Sequence, residues 1–517
     1  MTAFLGLSAF HRDAAVDDER RRRVAVQEER FSGKPGDASF PRRSVRWCLD
    51  EAGLRAGDLD GVVVSQKPLR TFERLLASHL EEFPRSARGF ARAMFLWLGD
   101  RLWMRSRVAQ ELEVEAKRVL FCEHARAHAA SAAFAAGLDD AAVLVLDDVG
   151  EWTTTAQCRV RAGAVEVLAE MRFPDSLGLV ASAITQYLGF VPGQDEEVLG
   201  ALGAHGAPRM LEHLRELVVP LDRGAFRVDR RAFPFRRGGD LAYGDALVEA
   251  LGPARASGQP LLASGDDTRH ADVAASAHAL LAERAVDAAR ALRERVADVP
   301  DLALTGFLAQ DARIVARVAE QSGFERVHAA PYADDAGAAL GAALVGAQGA
   351  AFVGPLLGPR AEDDLGEHEG AKELDGADEV PRRIAERLER GELVGWARGR
   401  LALGRGALGG RIALASASEE GARARLLDAL QLGESWRECF VLAPAERADE
   451  WFDVPPAARP AAARGGAVVR PRDSIARALN AASPAPVRRN PSRAARHQGI
   501  SRLTPDPSSK SYDPIAK

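Results

Sequence analysis

Cysteine and lysine are both scarce in this chain of 517 residues. The four cysteines lie far apart and form no C-x-x-C pair, which argues against a disulfide framework and against a thiolate zinc site. They are typical of free thiols in a reducing cytoplasm. Because lysine is rare, nearly all positive charge is arginine. We interpret this bias as a coding bias, so a single arginine carries little functional information.

The chain also lacks an apolar run of the roughly 18 residues that a membrane span needs. Its N-terminus has no basic segment ahead of an apolar one, so it does not resemble a signal peptide. The 69 basic and 74 acidic residues give a net charge of −5, which excludes a histone-like nucleic-acid binder. We therefore expect a cytoplasmic protein with neither a nucleic-acid nor a membrane partner.

Short apolar segments alternate with helical stretches over much of the chain, which predicts an α/β fold. The predicted strands cover 3–7, 24–28, 61–65, 119–122, 142–146 and 302–305, and the predicted helices cover 42–54, 123–136, 272–296 and 311–322. Acidic residues or glycines follow several of these strands. A turn that ends a strand and opens a helix is the usual place for anion or nucleotide contacts.

A strongly acidic stretch divides the chain into two parts. Residues 360–379 hold nine acidic residues and few apolar ones, which is typical of a solvated linker. We therefore predict an N-terminal domain over 1–357, an acidic linker over 358–380, a smaller C-terminal domain over 381–480 and a tail over 481–517. The tail is rich in proline, serine and arginine, which predicts partial disorder.

Two histidines on one predicted helix are the strongest local signal of chemistry. His124 and His128 are four residues apart, so both imidazoles lie on one face of a helix, close enough to share a metal ion. The same pair could equally be packed or hydrated in an alanine-rich helix. A carboxylate from a distant strand end would complete a site for iron or zinc, and Asp147 and Asp335 are candidates for it.

Seven short segments of the chain form a recognisable series. They are QEERFS at 27–32, EHARAHAASA at 123–132, LDDVGEW at 146–152, RFPDSLGL at 172–179, YLGF at 187–190, DAGAALG at 335–341 and GRL through ALG at 399–409. These segments occur in the order seen in the NodU/CmcH carbamoyltransferases, and the chain resembles this family from residue 6 to about residue 479.

The resemblance implies an α/β protein with two domains. The first would be an actin-like ATPase (ASKHA) domain, similar to tRNA threonylcarbamoyl transferases, and the second a smaller YrdC-like α/β domain that is eroded at its end. In such enzymes the YrdC-like domain makes carbamoyl-adenylate from carbamoyl phosphate and ATP. The first domain then transfers the carbamoyl group to a hydroxyl of a small biosynthetic metabolite.

The resemblance also implies roles for individual residues. The metal, iron(II) by this analogy, would be bound by His124, His128 and Asp335. Asp147 would be a further ligand or would orient a histidine. The positions where the backbone approaches the nucleotide are Gly178, Gly306 and Gly337.

The chain departs from the family pattern at positions that carry chemistry. The family's Tyr-His-Asp near the N-terminus is His11-Arg12-Asp13 here, so an arginine, which does not deprotonate in proteins, occupies the position of the general base. Either His11 has taken over that role or the reaction is impaired. In the C-terminal domain, Arg400 and Arg411 remain as candidates to bind carbamoyl phosphate. The final apolar strand of the family is replaced by residues 486–492, which include two arginines and a second proline.

Two other functions stay open beside the transferase. A catalytically impaired homologue would bind nucleotide and metal and would partner a complete carbamoyltransferase. A sugar kinase of the same superfamily is less favoured, because such kinases use carboxylates and Mg²⁺ rather than imidazoles. A homodimer and a pairing with a paralogue are both compatible with the sequence.

Overall fold

The computed structural model describes residues 3–8, 13–18, 23–238, 241–256, 259, 261, 268–348, 354–360, 379–404, 410–431, 439–464, 466–473 and 475–476. The strands before residue 350 are β1 (Ala3–Ser8), β2 (Asp13–Asp18), β3 (Arg23–Gln27), β4 (Gly61–Val64), β5 (Val119–Phe121), β6 (Asp140–Leu146), β7 (Thr153–Arg161), β8 (Ala164–Arg172), β9 (Val218–Pro220), β10 (Phe226–Val228), β11 (Asp301–Thr305) and β12 (Arg326–Ala329).

The same region also contains helices. They are α1 (Glu29–Ser32), α2 (Arg42–Ala52), α3 (Pro68–Glu81), α4 (Ala87–Gly99), α5 (Met104–Leu112), α6 (His124–Ala136), α7 (Leu177–Tyr187), α8 (Glu197–Gly203), α9 (Leu211–Leu217), α10 (Asp245–Leu251), α11 (Arg269–Arg295), α12 (Ala312–Gln321) and α13 (Asp335–Ala347). No helix in the described part of the chain is both long and apolar enough to cross a bilayer.

The two larger sheets have the same topology. Their strand orders are β3-β2-β1-β4-β5 and β8-β7-β6-β11-β12. In each sheet the first three strands form an antiparallel meander, and two later strands extend the sheet in parallel from the first strand. The repeated order indicates a duplicated unit, and we call the two copies the first lobe and the second lobe. The predicted α/β class is confirmed.

Two helices each pack on the sheet of the opposite lobe. Helix α6 follows the last strand of the first sheet but packs on β6, β7 and β11 of the second, and α13 follows the last strand of the second sheet but packs on β1 and β2 of the first. The helices touch at Gly341, where an added Cβ would lie 1.8 Å from the carbonyl oxygen of Ala127. Glycine is therefore required for α6 and α13 to approach this closely.

Most elements lie where the hydrophobic pattern places them. Each strand and helix predicted above for this region has bounds within three residues of the observed ones. Strand β2 was not predicted, because its sequence DAAVDD combines three small or apolar residues with three acidic ones. Pairing with β1 and β3, rather than its own propensity, makes it a strand.

The C-terminal part begins with a strand that crosses the predicted boundary between the N-terminal domain and the linker. Its described elements are β13 (Leu356–Arg360), α14 (Glu379–Glu389), β14 (Val394–Ala397), β15 (Arg400–Ala402), β16 (Arg411–Leu414), α15 (Ala422–Ala429), α16 (Ala448–Trp451), β17 (Phe452–Asp453), α17 (Arg459–Ala462) and β18 (Arg470–Pro471). Residues 358–360, predicted to open the linker, complete β13, which pairs with β15. The linker residues 361–378 and the tail 481–517 lie outside the described residues.

Part of this C-terminal region packs into the core of the second lobe. Ala458, Ala461 and Ala467 are buried in the same apolar cluster as β6 and β11. An added Cβ at Gly466 would lie 2.5 Å from the Cβ of Ala329 in β12. The segment around α17 is thus packed directly against the last strand of the second sheet.

Candidate metal centre

The first turns of α6 bury both histidines at the point where the two lobes meet. His124 is the first residue of α6 and is 7% exposed, and His128, one turn later, is fully buried. Their Nε2 atoms are 3.1 Å apart. The helical spacing therefore brings both imidazoles to one point, as the sequence predicts.

Two aspartates from other elements reach the same point. Asp147 follows the last residue of β6, and its Oδ2 lies 3.1 Å from His124 Nε2 and 3.8 Å from His128 Nε2. Asp335, the first residue of α13, places Oδ1 at 3.4 Å from His124 Nε2. Ligand atoms of His124, His128 and Asp147 all lie within 4.8 Å of one another. The structure thus brings together the four residues predicted as ligands, with Asp147 more central than the resemblance implies.

The donor set of this cluster fits a divalent metal. His124 Nδ1 lies 3.0 Å from the carbonyl oxygen of Ser65, which can only accept, so Nδ1 carries the proton and Nε2 of the neutral ring offers a lone pair. Asp147 Oδ2 is buried and accepts no hydrogen bond of normal geometry, although it faces His124. Two imidazoles with carboxylate oxygens suit iron or zinc.

Further contacts hold the ligand side chains in place. Thr305 Oγ1, at the end of β11, lies 3.4 Å from His128 Nδ1. The backbone N–H of Phe307 donates to Asp147 Oδ1 at 3.3 Å. Such outer contacts orient metal ligands. Sequence reasoning did not single out Ser65 or Thr305, and no local signal distinguishes them from other residues at strand ends.

The carboxylates of the cluster favour one positive charge, a proton or a cation, among the two histidines and the two aspartates. Burial disfavours the charged form of His124, but Asp147 and Asp335 outweigh it and raise the pKa of His124 well above its ordinary value. Burial, together with repulsion by His124, lowers the pKa of His128 to about 4. Burial alone would raise the pKa of Asp147, but the two histidines outweigh it and lower that pKa. A bound cation would replace the proton that His124 holds in its absence.

The three glycines predicted to approach a nucleotide all pack closely against protein backbone near the cluster. An added Cβ at Gly178 would lie 2.5 Å from Asp148 Cα, and one at Gly337 would lie 1.9 Å from the carbonyl oxygen of Tyr332. Gly306 has a φ of +89°, and its Cβ would lie 2.7 Å from the carbonyl carbon of Leu146. Close packing around the metal cluster therefore requires glycine at these positions, whereas the nucleotide contact stays a prediction.

Of the residues predicted for catalysis and for carbamoyl phosphate, the structure describes Asp13, Arg400 and Arg411, and none of these three is a member of the histidine–aspartate cluster. His11 and Arg12 are outside the described residues, and Asp13 is buried at the start of β2. Arg400 in β15 pairs with Glu51 and donates to the carbonyl oxygen of Gly358 at 3.1 Å. Arg411 in β16 donates to the carbonyl oxygen of Pro359 at 3.4 Å. Both guanidinium groups thus contact the main chain of β13, and their binding of carbamoyl phosphate stays a prediction.

Comparison with known proteins gives the family. Residues 3–344 match the family model of the carbamoyltransferase N-terminus, and residues 385–473 match that of the carbamoyltransferase C-terminus. An uncharacterized protein of Synechocystis sp. is 31% identical over 482 residues, which cover 88% of this chain and 77% of that protein.

Two nodulation proteins are also similar. NolNO of Sinorhizobium fredii is 28% identical over 84% of this chain and 62% of its own length, and NolO of Bradyrhizobium diazoefficiens is 28% identical over 65% of this chain and 61% of its own. The chain thus spans less than two thirds of either nodulation protein.

Among solved structures, component A of (R)-2-hydroxyglutaryl-CoA dehydratase from Acidaminococcus fermentans covers 66% of this chain and 97% of its own, at 15% identity and a TM-score of 0.36. A score this low does not by itself define a shared fold. The family assignment depends instead on the two family models, which match most of the chain in the expected order. The resemblance to the NodU/CmcH enzymes is confirmed, and the chain belongs to the carbamoyltransferase family.

Proposed function

We propose that the protein is an ATP-dependent O-carbamoyltransferase. It would take the carbamoyl group from carbamoyl phosphate with release of phosphate, and join it to the AMP part of ATP as carbamoyl-adenylate with release of pyrophosphate. It would then transfer the group to a hydroxyl of a small biosynthetic metabolite with release of AMP. The observation that carries the proposal is the convergence of His124, His128 and Asp147 between the two lobes, in a chain of the carbamoyltransferase family. We expect it to act in the cytoplasm, because its four cysteines are free thiols.

In this proposal the histidine–aspartate cluster holds a divalent metal, iron(II) by analogy with the family. His124, His128 and Asp147 are the principal ligands, and Asp335 is a further one. The metal, when bound, supplies positive charge that stabilises the phosphate of AMP as it departs. The chain's own residues prepare that site, since the Ser65 carbonyl fixes the tautomer of His124.

The nucleotide would lie at one edge of the second sheet. Strands β6 and β11 are parallel neighbours, so their carboxyl ends, which lead to Asp147 and Gly306, share that edge. The N–H of Gly306 donates to the carbonyl oxygen of Ala333 at 2.9 Å, which holds the segment before Asp335 beside β11. Ligands of open α/β sheets bind outside the carboxyl ends of the strands.

The acceptor hydroxyl would approach from the first lobe. The N–H of Ser65 donates to the carbonyl oxygen of Leu7 at 3.0 Å, so β1 ends beside the residue that holds His124. Ser8 and Asp13, which flank the segment with His11 and Arg12, are paired neighbours at that edge. In the proposal His11 takes the proton of the acceptor hydroxyl, since the adjacent Arg12 does not accept one at neutral pH.

The test is AMP formation by the purified chain from ATP and carbamoyl phosphate, with and without a panel of hydroxylated acceptors. Acceptor-dependent AMP release with a carbamoylated product supports the proposal. AMP formed without acceptor, by hydrolysis of carbamoyl-adenylate, indicates a working C-terminal domain alone. Consumption of added carbamoyl-adenylate, in the absence of ATP-dependent turnover, indicates a working N-terminal domain alone. No turnover in either format contradicts the proposed activity.

One observation favours an impaired homologue as the second candidate. Arg400, expected to bind phosphate, is engaged by Glu51 and by the Gly358 carbonyl. A guanidinium held by a carboxylate is less available to a phosphate, because the two anions compete for the same donors. Retained nucleotide and metal binding without turnover would support this candidate and its pairing with a complete carbamoyltransferase.

A further inference from the structure

We propose that Glu151 is a positioning residue of the metal centre, an inference that depends on the metal site of the proposed function. Glu151 lies in the turn between β6 and β7, the turn that also carries Asp147, and only 4% of it is exposed. It is not one of the four predicted ligands. Its role is to hold His124 and the turn of Asp147 in one fixed arrangement.

The carboxylate of Glu151 accepts hydrogen bonds at the beginnings of two helices. Oε1 accepts from the N–H of Lys67, the residue before α3, at 2.8 Å. Both oxygens lie 3.3 Å from the N–H of His124, the first residue of α6. Helix N-termini carry unpaired N–H groups and partial positive charge, so a buried carboxylate is stabilised between them.

These contacts close a ring around His124. The carbonyl of Ser65 holds the Nδ1 side of the imidazole, and Lys67, two residues later, is tied through Glu151 to the backbone of the same histidine. Both the side chain and the main chain of His124 are therefore held by one short segment after β4, residues 65–67. Removal of the Glu151 carboxylate breaks the ring at the backbone N–H of His124. The imidazole can then reorient, so Nε2 no longer has one fixed direction.

The ring also links the two lobes. Ser65 and Lys67 belong to the first lobe, whereas Glu151 follows β6 of the second. Gly150 packs directly on His124, since an added Cβ there would lie 3.1 Å from the Cβ of His124. Because Asp147 and Glu151 share one turn, the hydrogen bonds of Glu151 set how closely the Asp147 carboxylate approaches the imidazoles.

Glu123 offers a matched control in the same place. It directly precedes His124 and also contacts Lys67, but through the Lys67 Nζ at 3.0 Å, with Arg70 and Arg126 as its other ion-pair partners. These are partly exposed side-chain pairs, which contribute little to stability. Glu123→Gln removes a carboxylate beside His124 without touching the ring.

The experiment measures Zn²⁺ affinity by competition with a chromophoric chelator for the wild type, Glu151→Ala, Glu151→Gln and Glu123→Gln. We expect Glu151→Ala to weaken Zn²⁺ binding by about 10- to 100-fold, the usual effect of losing a residue that orients a ligand. The Zn²⁺ affinity of Glu151→Gln should lie between those of the wild type and Glu151→Ala, because the amide oxygen of glutamine still accepts one hydrogen bond. Glu123→Gln should match the wild type. Amide hydrogen exchange of residues 122–130 in metal-free protein should be faster in Glu151→Ala alone.

The outcomes separate this inference from the function on which it depends. Wild-type Zn²⁺ affinity and unchanged exchange in both Glu151 variants would overturn the positioning role while the metal site stands. Absence of Zn²⁺ binding by the folded wild type would overturn both the positioning role of Glu151 and the metal site of the proposed function. Zn²⁺ binding that depends on Glu151, in a protein without carbamoyl transfer, would support the positioning role and contradict the activity. If Glu151→Ala does not fold, the Zn²⁺ affinity of Glu151→Gln decides: an affinity weaker than that of the wild type supports the positioning role, and one equal to it overturns that role.

Discussion

His124 Nε2 and Asp335 Oδ1 lie 3.4 Å apart, although the two residues begin helices that follow different sheets. Helix α6 leaves the first sheet and packs on the second, and α13 does the reverse. The two residues therefore occupy equivalent places in a duplicated fold. The cluster lies where the two copies cross, so its geometry depends on how the lobes are packed together.

Loss of either histidine should abolish metal binding. The purified protein should contain about one iron or zinc per chain, the metals that suit this ligand set. His124→Ala and His128→Ala should each remove it, because both Nε2 atoms face the same point. Metal analysis of the purified variants is the measurement, with His213→Ala in α9 as a control that should retain the metal. Unchanged metal content in the two variants would refute the site.

Asp147 and Asp335 should contribute unequally to metal binding. Asp147 Oδ2 lies 3.1 Å from His124 Nε2 and 3.8 Å from His128 Nε2, whereas Asp335 Oδ1 lies 3.4 Å from His124 Nε2. We expect Asp147→Asn to weaken Zn²⁺ binding more than Asp335→Asn, because it removes the carboxylate that both histidines face. Zn²⁺ titration of the two variants decides the order, and a larger loss in Asp335→Asn would show that the family-like ligand set is the correct one.

Gly341→Ala should destabilise the protein through the helix crossing. The added methyl would lie 1.8 Å from the carbonyl oxygen of Ala127, so α6 and α13 must move apart. Overpacking of this kind costs about 1–3 kcal/mol. Gly99→Ala is the control, because an added Cβ there meets nothing within 4 Å. Thermal melting of the two variants is the measurement, and equal melting temperatures would contradict the close crossing.

Asp301 should contribute stability that is lost in acid. It binds Arg326 through two hydrogen bonds of 2.7 and 2.6 Å and His328 through one of 2.9 Å. Burial alone would raise the pKa of Asp301, but these partners outweigh it and lower the pKa below its ordinary value. The folded pKa is then below the unfolded one of about 3.9, so the contribution is complete above that pH and disappears as the pH falls through the folded pKa.

Melting temperatures of wild type and Asp301→Asn should therefore differ most at neutral pH and converge as the pH falls from about 3.9 through the folded pKa of Asp301. Asp222→Asn, at an exposed position, is the matched control and should follow the wild type throughout. A difference that stays constant across the acid range would mean that the ion pair does not stabilise the fold.

Local pattern accounts for much of the fold and for half of the site. Strands β6 and β11 have apolar interiors, and α6 follows from its alanine content, so their positions are predictable within a few residues. The pairing of β2, the packing of the α17 segment on β12 and the central place of Asp147 depend on partners distant in sequence. No periodicity encodes such partners.

The spacing of His124 and His128 is a local property, because the pitch of a helix alone places residues four apart on one face. The sequence by itself determined that pair, the alternating α/β pattern and the family motifs in their order. The tertiary structure decided which carboxylates join the histidines and that Ser65 and Glu151 hold His124. The reason is that α6 and α13 cross between the lobes only when glycines such as Gly341 let their backbones touch, and that packing brings the ends of β4, β6 and β11 around one point.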